Sequence, residues 1–240
     1  MSIHTTDVIV LRRYPFRETS IIVSCLTERF GKLKGLVKGI RGPKSRHRSA
    51  MEPLTVNRIV FYDTRTSQLH LISQCELLAP LSELPRDLKV MTAAARCVNL
   101  IDGIVPLEEP QPAIYHLLKD TLERLSLGVG DHAVVQMHCM TRLLRLVGFQ
   151  PRLDQCTHCN ADVQASGYWS ARQGGLLCAR CLHVDPSADA ATPEMLAVLE
   201  AFSLSDHPPA TNAQLIPALR QRLDEFLRWH VERTFRTATT

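Results

Sequence analysis

Four cysteines in the second half of the chain have the spacing of a metal site. Cys156 and Cys159 form one pair with two residues between them, and 18 residues separate this pair from a second one, Cys178 and Cys181. Two such pairs can offer four thiolates to one tetrahedral ion, which is the pattern of a structural zinc site. Because four thiolates leave no coordination position open, the spacing predicts one structural Zn2+ and argues against a catalytic one. The alternative is four unconnected thiols.

The two histidines next to the cysteine pairs and the other four cysteines are not required as metal ligands. His158 and His183 lie beside the ligands, but four thiolates already complete a tetrahedral set. The other cysteines stand in apolar contexts, as small buried side chains do in a reducing compartment, and this disfavours disulfides. They are Cys25, Cys75, Cys97 and Cys139.

No apolar run approaches the roughly 20 residues of a membrane-spanning helix, and Val8 to Leu11 is too short for a signal-peptide core. We therefore expect a cytoplasmic protein, associated with the nucleoid if it binds DNA.

A strongly basic window lies near the amino end. The 23 residues from Arg29 to Met51 contain no Asp or Glu. Eight positive charges fall within this window: Arg29, Lys32, Lys34, Lys38, Arg41, Lys44, Arg46 and Arg48. A run of one sign repels itself unless an anionic partner neutralises it, and nucleic acid is the commonest linear polyanion. These eight residues are the predicted DNA-binding positions.

The alternative for a basic window is a solvated surface that keeps the protein in solution. Solvated surfaces usually interleave both signs of charge, and this window does not. The charge is also concentrated in one part of the chain, because residues 1–80 hold 13 Lys and Arg against 6 Asp and Glu, whereas residues 81–240 hold 15 against 18. This asymmetry favours a basic binding region at the amino end.

Residues 1–80 show the alternation of five short strands. The predicted strands are Asp7 to Leu11, Ser20 to Leu26, Lys32 to Lys38, Thr55 to Phe61 and Leu69 to Cys75. Five strands in about 80 residues suit a small closed barrel of the OB type, a fold that presents a groove to oligonucleotides. A compact sandwich or an SH3-like barrel would also fit this pattern.

The third predicted strand carries two different faces. A period of two places small and apolar residues on one face, namely Gly31, Leu33, Gly35, Val37 and Gly39. The other face carries Lys32, Lys34, Leu36 and Lys38, so that its lysines should project in a row about 7 Å apart. Tyr14, Phe16 and Tyr62 could stack on bases nearby, although core or hinge packing is the commoner role of such residues.

The remainder of the chain is helical apart from the cysteine segment. Apolar residues at three- and four-residue spacing predict helices over residues 87–104, 112–127 and 131–147. Thr192 followed by Pro193 is a helix start, and Leu215 to Leu227 mark a terminal helix. We predict an α+β multidomain chain with a barrel over residues 1–80 and a helical domain over 81–150 and 187–240. A zinc-binding segment over 151–186 interrupts that helical domain.

Several sequence motifs carry a resemblance to a known family. At the amino end they are Arg13-Tyr14-Pro15-Phe16-Arg17-Glu18-Thr19-Ser20, Leu26-Thr27, Gly31, Lys38-Gly39-Ile40-Arg41 and Lys44-Ser45. Around the cysteines they are Leu143-Leu144, Gly148-Phe149, Leu153-Asp154-Gln155-Cys156 and Gly174-Gly175-Leu176-Leu177-Cys178. With these motifs the chain resembles the RecO family of bacterial DNA repair and recombination proteins. The resemblance covers nearly all of the chain, but residues 186–240 match only in pattern.

The resemblance implies a recombination mediator that is not an enzyme. Members of this family bind single- and double-stranded DNA and anneal complementary strands. With RecR, and in some bacteria with RecF, they load RecA onto DNA coated with single-stranded-DNA-binding protein. The resemblance places the DNA contacts at the basic window, and it places a pocket for the acidic tail of single-stranded-DNA-binding protein in the helical domain. Arg142 and Arg145 fit that pocket by charge, and solvated helix residues are the alternative.

Two other classes of function remain open from the residues alone. A nuclease would need an acidic cluster or an open metal position near the basic window, and the acids of residues 1–80 are widely spaced. A sequence-specific regulator usually reads base edges with a helix in the major groove. Neither feature is evident in the sequence.

Overall fold

A computed structural model describes residues 2–41, 50–63, 67–79, 87–163 and 167–232. Two compact units form, residues 1–132 and 133–240. The first contains the barrel and two helices, and the second contains the cysteine segment. Each unit is described by itself below.

The amino-terminal strands close into a five-stranded barrel. They are β1 (Ser2–Phe16), β2 (Ser20–Thr27), β3 (Gly31–Val37), β4 (Val56–Asp63) and β5 (Leu69–Ala79). The order around the barrel is β1-β2-β3-β5-β4, and β4 pairs back onto β1. Among the barrel strands that the structure describes, β3 and β5 form the one parallel pair. This is the predicted OB-type barrel, and the sandwich and SH3-like alternatives are not observed.

The first strand is longer than its sequence pattern predicts. Residues Ser2 to Ile9 pair with β4, and residues Val8 to Phe16 pair with β2 across a bulge at Leu11. One strand therefore serves both neighbours and closes the barrel. Its first residues are largely polar and show no regular alternation, so their extended conformation depends on pairing with β4.

The barrel interior follows from the period of two along each strand. Paired positions on neighbouring strands place Ile21, Val37, Ile72 and Phe61 side by side in the core. Leu33, Gly35 and Val37 face inward on β3, as the sequence predicts. A Cβ atom added at Gly35 would lie 2.3 Å from Ile72 Cδ1. A glycine at this position lets the side chain from β5 cross the barrel interior.

Two helices complete the first unit. Helix α1 spans Leu88–Ile104 and starts at Asp87, whose carboxylate accepts a hydrogen bond from Lys89 N. Helix α2 spans Pro112–Leu127, with proline in its first turn and Gly128 in the left-handed conformation at its end. Both agree closely with the ranges that apolar periodicity predicts, and the caps set their boundaries in the structure.

The second unit combines three helices with a small sheet. The helices are α3 (His132–Leu146), α4 (Pro193–Leu204) and α5 (Ile216–Leu227), and the strands are β6 (Gly167–Ser170), β7 (Gly175–Leu177) and β8 (Asp189–Ala191). Short 3-10 helices cover Ala179–Val184 and Ala213–Leu215, and a π-helical turn covers Arg228–Glu232. Thr192 caps α4 as predicted, since its hydroxyl accepts a hydrogen bond from Met195 N at 3.2 Å. The three short strands were not predicted, because three or four residues give no periodic signal.

Among the helices that the structure describes, none combines the length and apolar character that crossing a membrane would require.

Candidate nucleic-acid surface and metal centre

Three of the predicted DNA-binding residues are exposed on β3 and on the segment that follows it. Lys34 projects from the outer face of β3, Lys38 follows directly after β3, and Arg41 lies three residues further on. The backbone N–H of Arg41 donates to Thr19 O at 2.9 Å, which fixes this segment against the β1–β2 turn. We call Lys34, Lys38 and Arg41 the basic column.

Lys32 does not project from the surface with its neighbours. Only 8% of the residue is exposed, and its ammonium group donates to the main-chain oxygen of Asp102 at 2.6 Å. Burial lowers the pKa of Lys32, while the nearby Asp102 carboxylate opposes that shift. The predicted row of projecting lysines was wrong at this position. Period two placed Lys32 correctly on the outer face of β3, but α1 covers that part of the face.

Asp102 joins the barrel to α1 through three side chains. Its carboxylate accepts a hydrogen bond from Ser24 Oγ at 2.7 Å, lies 2.6 Å from Arg12 Nε and lies 4.0 Å from Lys32 Nζ. The Asp102 side chain is 13% exposed, so these interactions are only weakly screened by solvent. We call Asp102, Arg12, Ser24 and Lys32 the barrel–helix anchor.

Of the other predicted DNA-binding residues, Arg29 lies apart from the basic column and three lie outside the described residues. Arg29 lies in the β2–β3 turn, where its guanidinium is 5.6 Å from the centre of the Phe30 ring. Strand β3 lies between Arg29 and Lys38, and its length is about 20 Å at the usual strand rise. Lys44, Arg46 and Arg48 lie outside the residues that the structure describes.

Two further cations beside the basic column were missed from the sequence. Burial lowers the pKa of Arg13, and the charge of Arg41 lowers it further, so the two guanidinium groups lie close in space. Arg13 also forms an ion pair with Glu52. Arg17 is exposed in the β1–β2 turn with its guanidinium over the Phe16 ring. Both lie outside the acid-free window, and only the packing of the turn against residues 38–41 brings them near it.

The three candidate stacking residues differ in their exposure. Tyr14 is 48% exposed on the outer face of β1, next to Ile22 of β2. Phe16 and Tyr62 are half-buried. Tyr14 therefore has the geometry of a surface contact residue.

The four predicted metal ligands come together in the second unit. The sulfur atoms of Cys156, Cys159, Cys178 and Cys181 all lie within 4.8 Å of one another, and those of Cys159 and Cys178 are 3.7 Å apart. A tetrahedral ion with bonds of about 2.3 Å to sulfur needs sulfur–sulfur distances of about 3.8 Å. A disulfide would need about 2.05 Å. The four cysteines therefore fit a metal ion.

Each cysteine pair lies in a tight turn that aims main-chain N–H groups at sulfur. The turn at Cys156 is closed by hydrogen bonds from Asn160 N to Cys156 O and from Cys156 N to Ala161 O. Burial disfavours the Cys156 thiolate, but main-chain N–H groups of Cys178, Cys159 and His158 donate to it and bring its pKa down to about 6. Arg152 supports the turn from outside, because it donates to Asn160 Oδ1 and Gln155 Oε1, each at 2.7 Å. The turn thus favours the ionised thiolate at Cys156, whereas burial and the neighbouring cysteines raise the pKa of Cys181 to about 12.

The neighbouring histidines and the helical arginines have other partners. The rings of His158 and His183 stack edge to face with their centres 6.0 Å apart, and His183 Nδ1 lies 3.0 Å from Arg180 O. Arg142 donates to Ser203 O and Leu204 O at the end of α4 and pairs with Asp206. Arg145 donates to Gln150 Oε1 at 3.1 Å. The contacts of Arg142 thus hold α3 and α4 together.

Fold and sites together define a class: an OB-barrel protein with a basic outer surface, extended by helices and a four-cysteine metal segment. Comparison with known proteins places the chain within that class. Residues 1–81 match the family profile "Recombination protein O N terminal", and residues 85–238 match "Recombination protein O C terminal". The chain belongs to the RecO family of DNA repair proteins.

Similar proteins span most of the chain. The DNA repair protein RecO of Exiguobacterium sibiricum is 30% identical over 225 residues, covering 94% of this chain and 89% of that protein. The RecO protein of Pelotomaculum thermopropionicum is 27% identical, covering 99% and 93%. The RecO protein of Bacillus subtilis is 26% identical, covering 93% and 86%. The resemblance noted in the sequence is confirmed.

Proposed function

We propose that this protein is a DNA-binding recombination mediator that brings complementary strands together without covalent chemistry. The observation that carries the proposal is the basic column of Lys34, Lys38 and Arg41, exposed on an OB-type barrel in a segment without acidic residues. Arg29, Lys44, Arg46 and Arg48 belong to the same acid-free window and are further proposed DNA-binding residues. Lys32 is not part of the exposed surface but stabilises the strand that carries it, because its ammonium group donates to the main-chain oxygen of Asp102.

The mechanism follows from electrostatics. Two complementary strands repel each other through their phosphates, and a cationic surface lowers this repulsion while condensed counterions are released. Sequence selection is left to base pairing, so the protein needs no contacts with base edges. Such binding falls steeply as salt concentration rises.

The resemblance to the family supports the proposed partners, and the cluster of four cysteines supports the proposed cofactor. We propose that the protein acts with RecR to load RecA onto DNA coated with single-stranded-DNA-binding protein, contacts the acidic tail of that protein, and works with RecF where RecF is present. The four cysteines would hold one Zn2+, whose role is to cross-link the two turns of residues 156–159 and 178–181. With four thiolate ligands the site has no open position for catalysis.

A salt titration of DNA binding tests the proposed surface. Replacing Lys34, Lys38 and Arg41 together by Ala should weaken binding to unrelated sequences equally. It should also reduce the slope of log K against log salt by roughly 2 to 3, because about three phosphate contacts are lost. Annealing of complementary oligonucleotides, with and without bound single-stranded-DNA-binding protein, should slow in parallel.

Replacing Lys89, Lys119 and Arg228 by Ala removes the same charge from exposed helix positions and should leave the slope unchanged. If the two triple variants gave equal slopes of log K against log salt, the basic column would not be part of the DNA interface.

Two assays separate this function from its rivals. Magnesium-dependent cleavage of DNA with turnover would establish a nuclease and overturn the proposal. A preference of thousands-fold for one sequence over random competitor DNA would favour a regulator. We expect no cleavage and a sequence preference below about tenfold.

A further inference from the structure

The four clustered cysteines differ in how far solvent reaches them. Cys156 and Cys181 are buried, Cys178 is half-buried and Cys159 is exposed. The exposed and the half-buried cysteine belong to different turns, and their sulfur atoms are 3.7 Å apart. Oxidation of a cysteine depends on its thiolate character and on its exposure. An oxidant dissolved in water therefore meets Cys159 first, with the sulfur of Cys178 beside it.

Main-chain hydrogen bonds hold the two cysteine turns side by side without using the sulfur atoms. Thr157 N, in the first turn, donates to Leu176 O at 2.8 Å, and Leu176 N donates to Arg152 O at 2.9 Å. Leu176 lies two residues before Cys178. A Cβ atom added at Gly175 would lie 2.2 Å from Arg152 O, so the two segments touch through their backbones. The second turn therefore stays within reach of the first when a bond between metal and sulfur breaks.

The two buried cysteines are poorer partners for an oxidised Cys159. Main-chain N–H groups of Cys178, Cys159 and His158 donate to the sulfur of Cys156. These hydrogen bonds stabilise the negative charge of the thiolate, and a more stable thiolate is a weaker nucleophile. Cys181 is buried and lies outside the first turn. The arrangement thus favours a bond across the two turns over a bond within one turn.

We propose that Cys159 and Cys178 are a modification site, where a hydroperoxide forms a reversible disulfide and the metal ion is released. The inference rests on the proposed Zn2+ and is independent of DNA binding. The Cys159 thiolate attacks one oxygen of H2O2, so that an S–O bond forms, the O–O bond breaks and hydroxide leaves. The Cys178 thiolate then attacks the Cys159 sulfur, an S–S bond forms, and a second hydroxide leaves.

The reaction balances without another reactant. The two thiolates supply two electrons, and these reduce the peroxide to two hydroxide ions. The two sulfur atoms need to approach from 3.7 Å to about 2.05 Å, a shift of under about 1 Å for each. Cys156 and Cys181 are then the remaining sulfur ligands, too few for a closed tetrahedral site, and the ion leaves. A dithiol restores both thiolates, as expected for the transient redox disulfides of a reducing compartment.

The test treats the full-length chain, purified with Zn2+, with a small excess of H2O2 in thiol-free buffer. A zinc-binding dye measures the released ion, and differential alkylation with peptide mass spectrometry locates reduced and oxidised cysteines. We expect release of about one Zn2+ per chain, a disulfide between Cys159 and Cys178, and reduced Cys156 and Cys181. Dithiothreitol with added Zn2+ should restore the native melting curve and the metal content.

A matched pair of variants tests the order of attack. Cys159→His keeps a ligand that zinc accepts but removes the exposed thiolate. Release by peroxide should slow by on the order of tenfold, because attack then falls to less exposed sulfur atoms. Cys139→Ser removes a buried thiol of α3, serves as the control and should release the ion at the native rate. Metal content and melting curves confirm that each variant is folded. If Cys159→His does not retain the ion, the disulfide map of the native chain decides.

The outcomes separate this inference from the proposed cofactor and from the proposed function. A disulfide within one turn, between Cys156 and Cys159 or between Cys178 and Cys181, would overturn the proposed site. Loss of the ion without any disulfide, with sulfinic acids instead, would also overturn it. If the purified chain contains no metal but still forms the disulfide across the turns, the modification site stands and the proposed cofactor fails. The salt titration of DNA binding addresses the basic column separately, so its result does not depend on the state of the cysteines.

Discussion

At the scale of single residues, two glycines next to β3 share a left-handed backbone conformation but differ in what surrounds them. Gly31 has φ +69°, and an added Cβ would lie 2.2 Å from Glu109 O. The loop after α1 is held there, since Glu108 N donates to Lys32 O at 2.9 Å. Gly39 has a similar φ of +74°, but nothing lies within 4 Å of its Cβ position. The two positions therefore differ in packing and share the same backbone conformation.

This difference makes a paired prediction. Gly39→Ala should cost about 1 to 2 kcal/mol of unfolding free energy, which is the strain of a left-handed backbone. Gly31→Ala should cost at least about 2 kcal/mol more, because the loop around Glu109 must also move. Urea denaturation of both variants measures the two values. Equal losses would show that the loop does not pack on the β2–β3 turn as described.

At the scale of elements, the barrel–helix anchor attaches α1 to the first three strands. Asp102→Asn removes the negative charge shared by Arg12, Lys32 and Ser24. Breaking a buried pair from one side typically costs 3–5 kcal/mol. We expect about 2 to 3 kcal/mol here, because the Arg12 side chain is 42% exposed and can be solvated. Thermal or urea denaturation gives the value.

A surface pair on α2 supplies the matched control. Glu123 lies 3.9 Å from Lys119 with both side chains about half exposed, so Glu123→Gln should cost less than about 0.5 kcal/mol. Combining Asp102→Asn with Lys32→Met should recover part of the stability, since the lysine is then no longer buried without its counter-charge. If the double variant is less stable than Asp102→Asn alone, Lys32 contributes in another way.

At the scale of the whole molecule, the two candidate sites belong to different units. The basic column lies in residues 1–132, and the four clustered cysteines lie in residues 133–240. We therefore expect a metal ion held by the cysteines to support the fold of its own unit, while the proposed DNA-binding residues belong to the other unit. This separation fits a structural role for the ion.

Metal removal tests that separation on the full chain. Stripping the ion with a chelator should lower the unfolding temperature of the second unit by roughly 10 °C or more, because metal binding contributes directly to folding. It should also open residues 151–186 to limited proteolysis. Affinity for oligo-dT should stay within about threefold. Added Zn2+ should restore the melting curve and Mg2+ should not. A large loss of DNA affinity on chelation, reversed by Zn2+, would contradict the separation.

The sequence by itself determined most of the elements and the four cysteines that cluster in the fold. Helix ranges could be predicted because apolar periodicity is a local property of the chain, and Thr192 followed by Pro193 marked the start of α4. The caps at Asp87 and Gly128 are findings of the structure. The cysteine quartet was readable because two turns of fixed spacing define a tetrahedral site. The acid-free basic window was likewise a local property of the chain.

Only the tertiary structure decided which of those cations face solvent and what lies beside them. Lys32 and Lys34 are equivalent in the strand pattern, yet Asp102, 70 positions away, buries the first and leaves the second exposed. The burial of Lys32 depends on its contact with α1, and the proximity of Arg13 to Arg41 depends on the packing of a turn. Both are set by pairing between distant segments, which local sequence patterns do not encode.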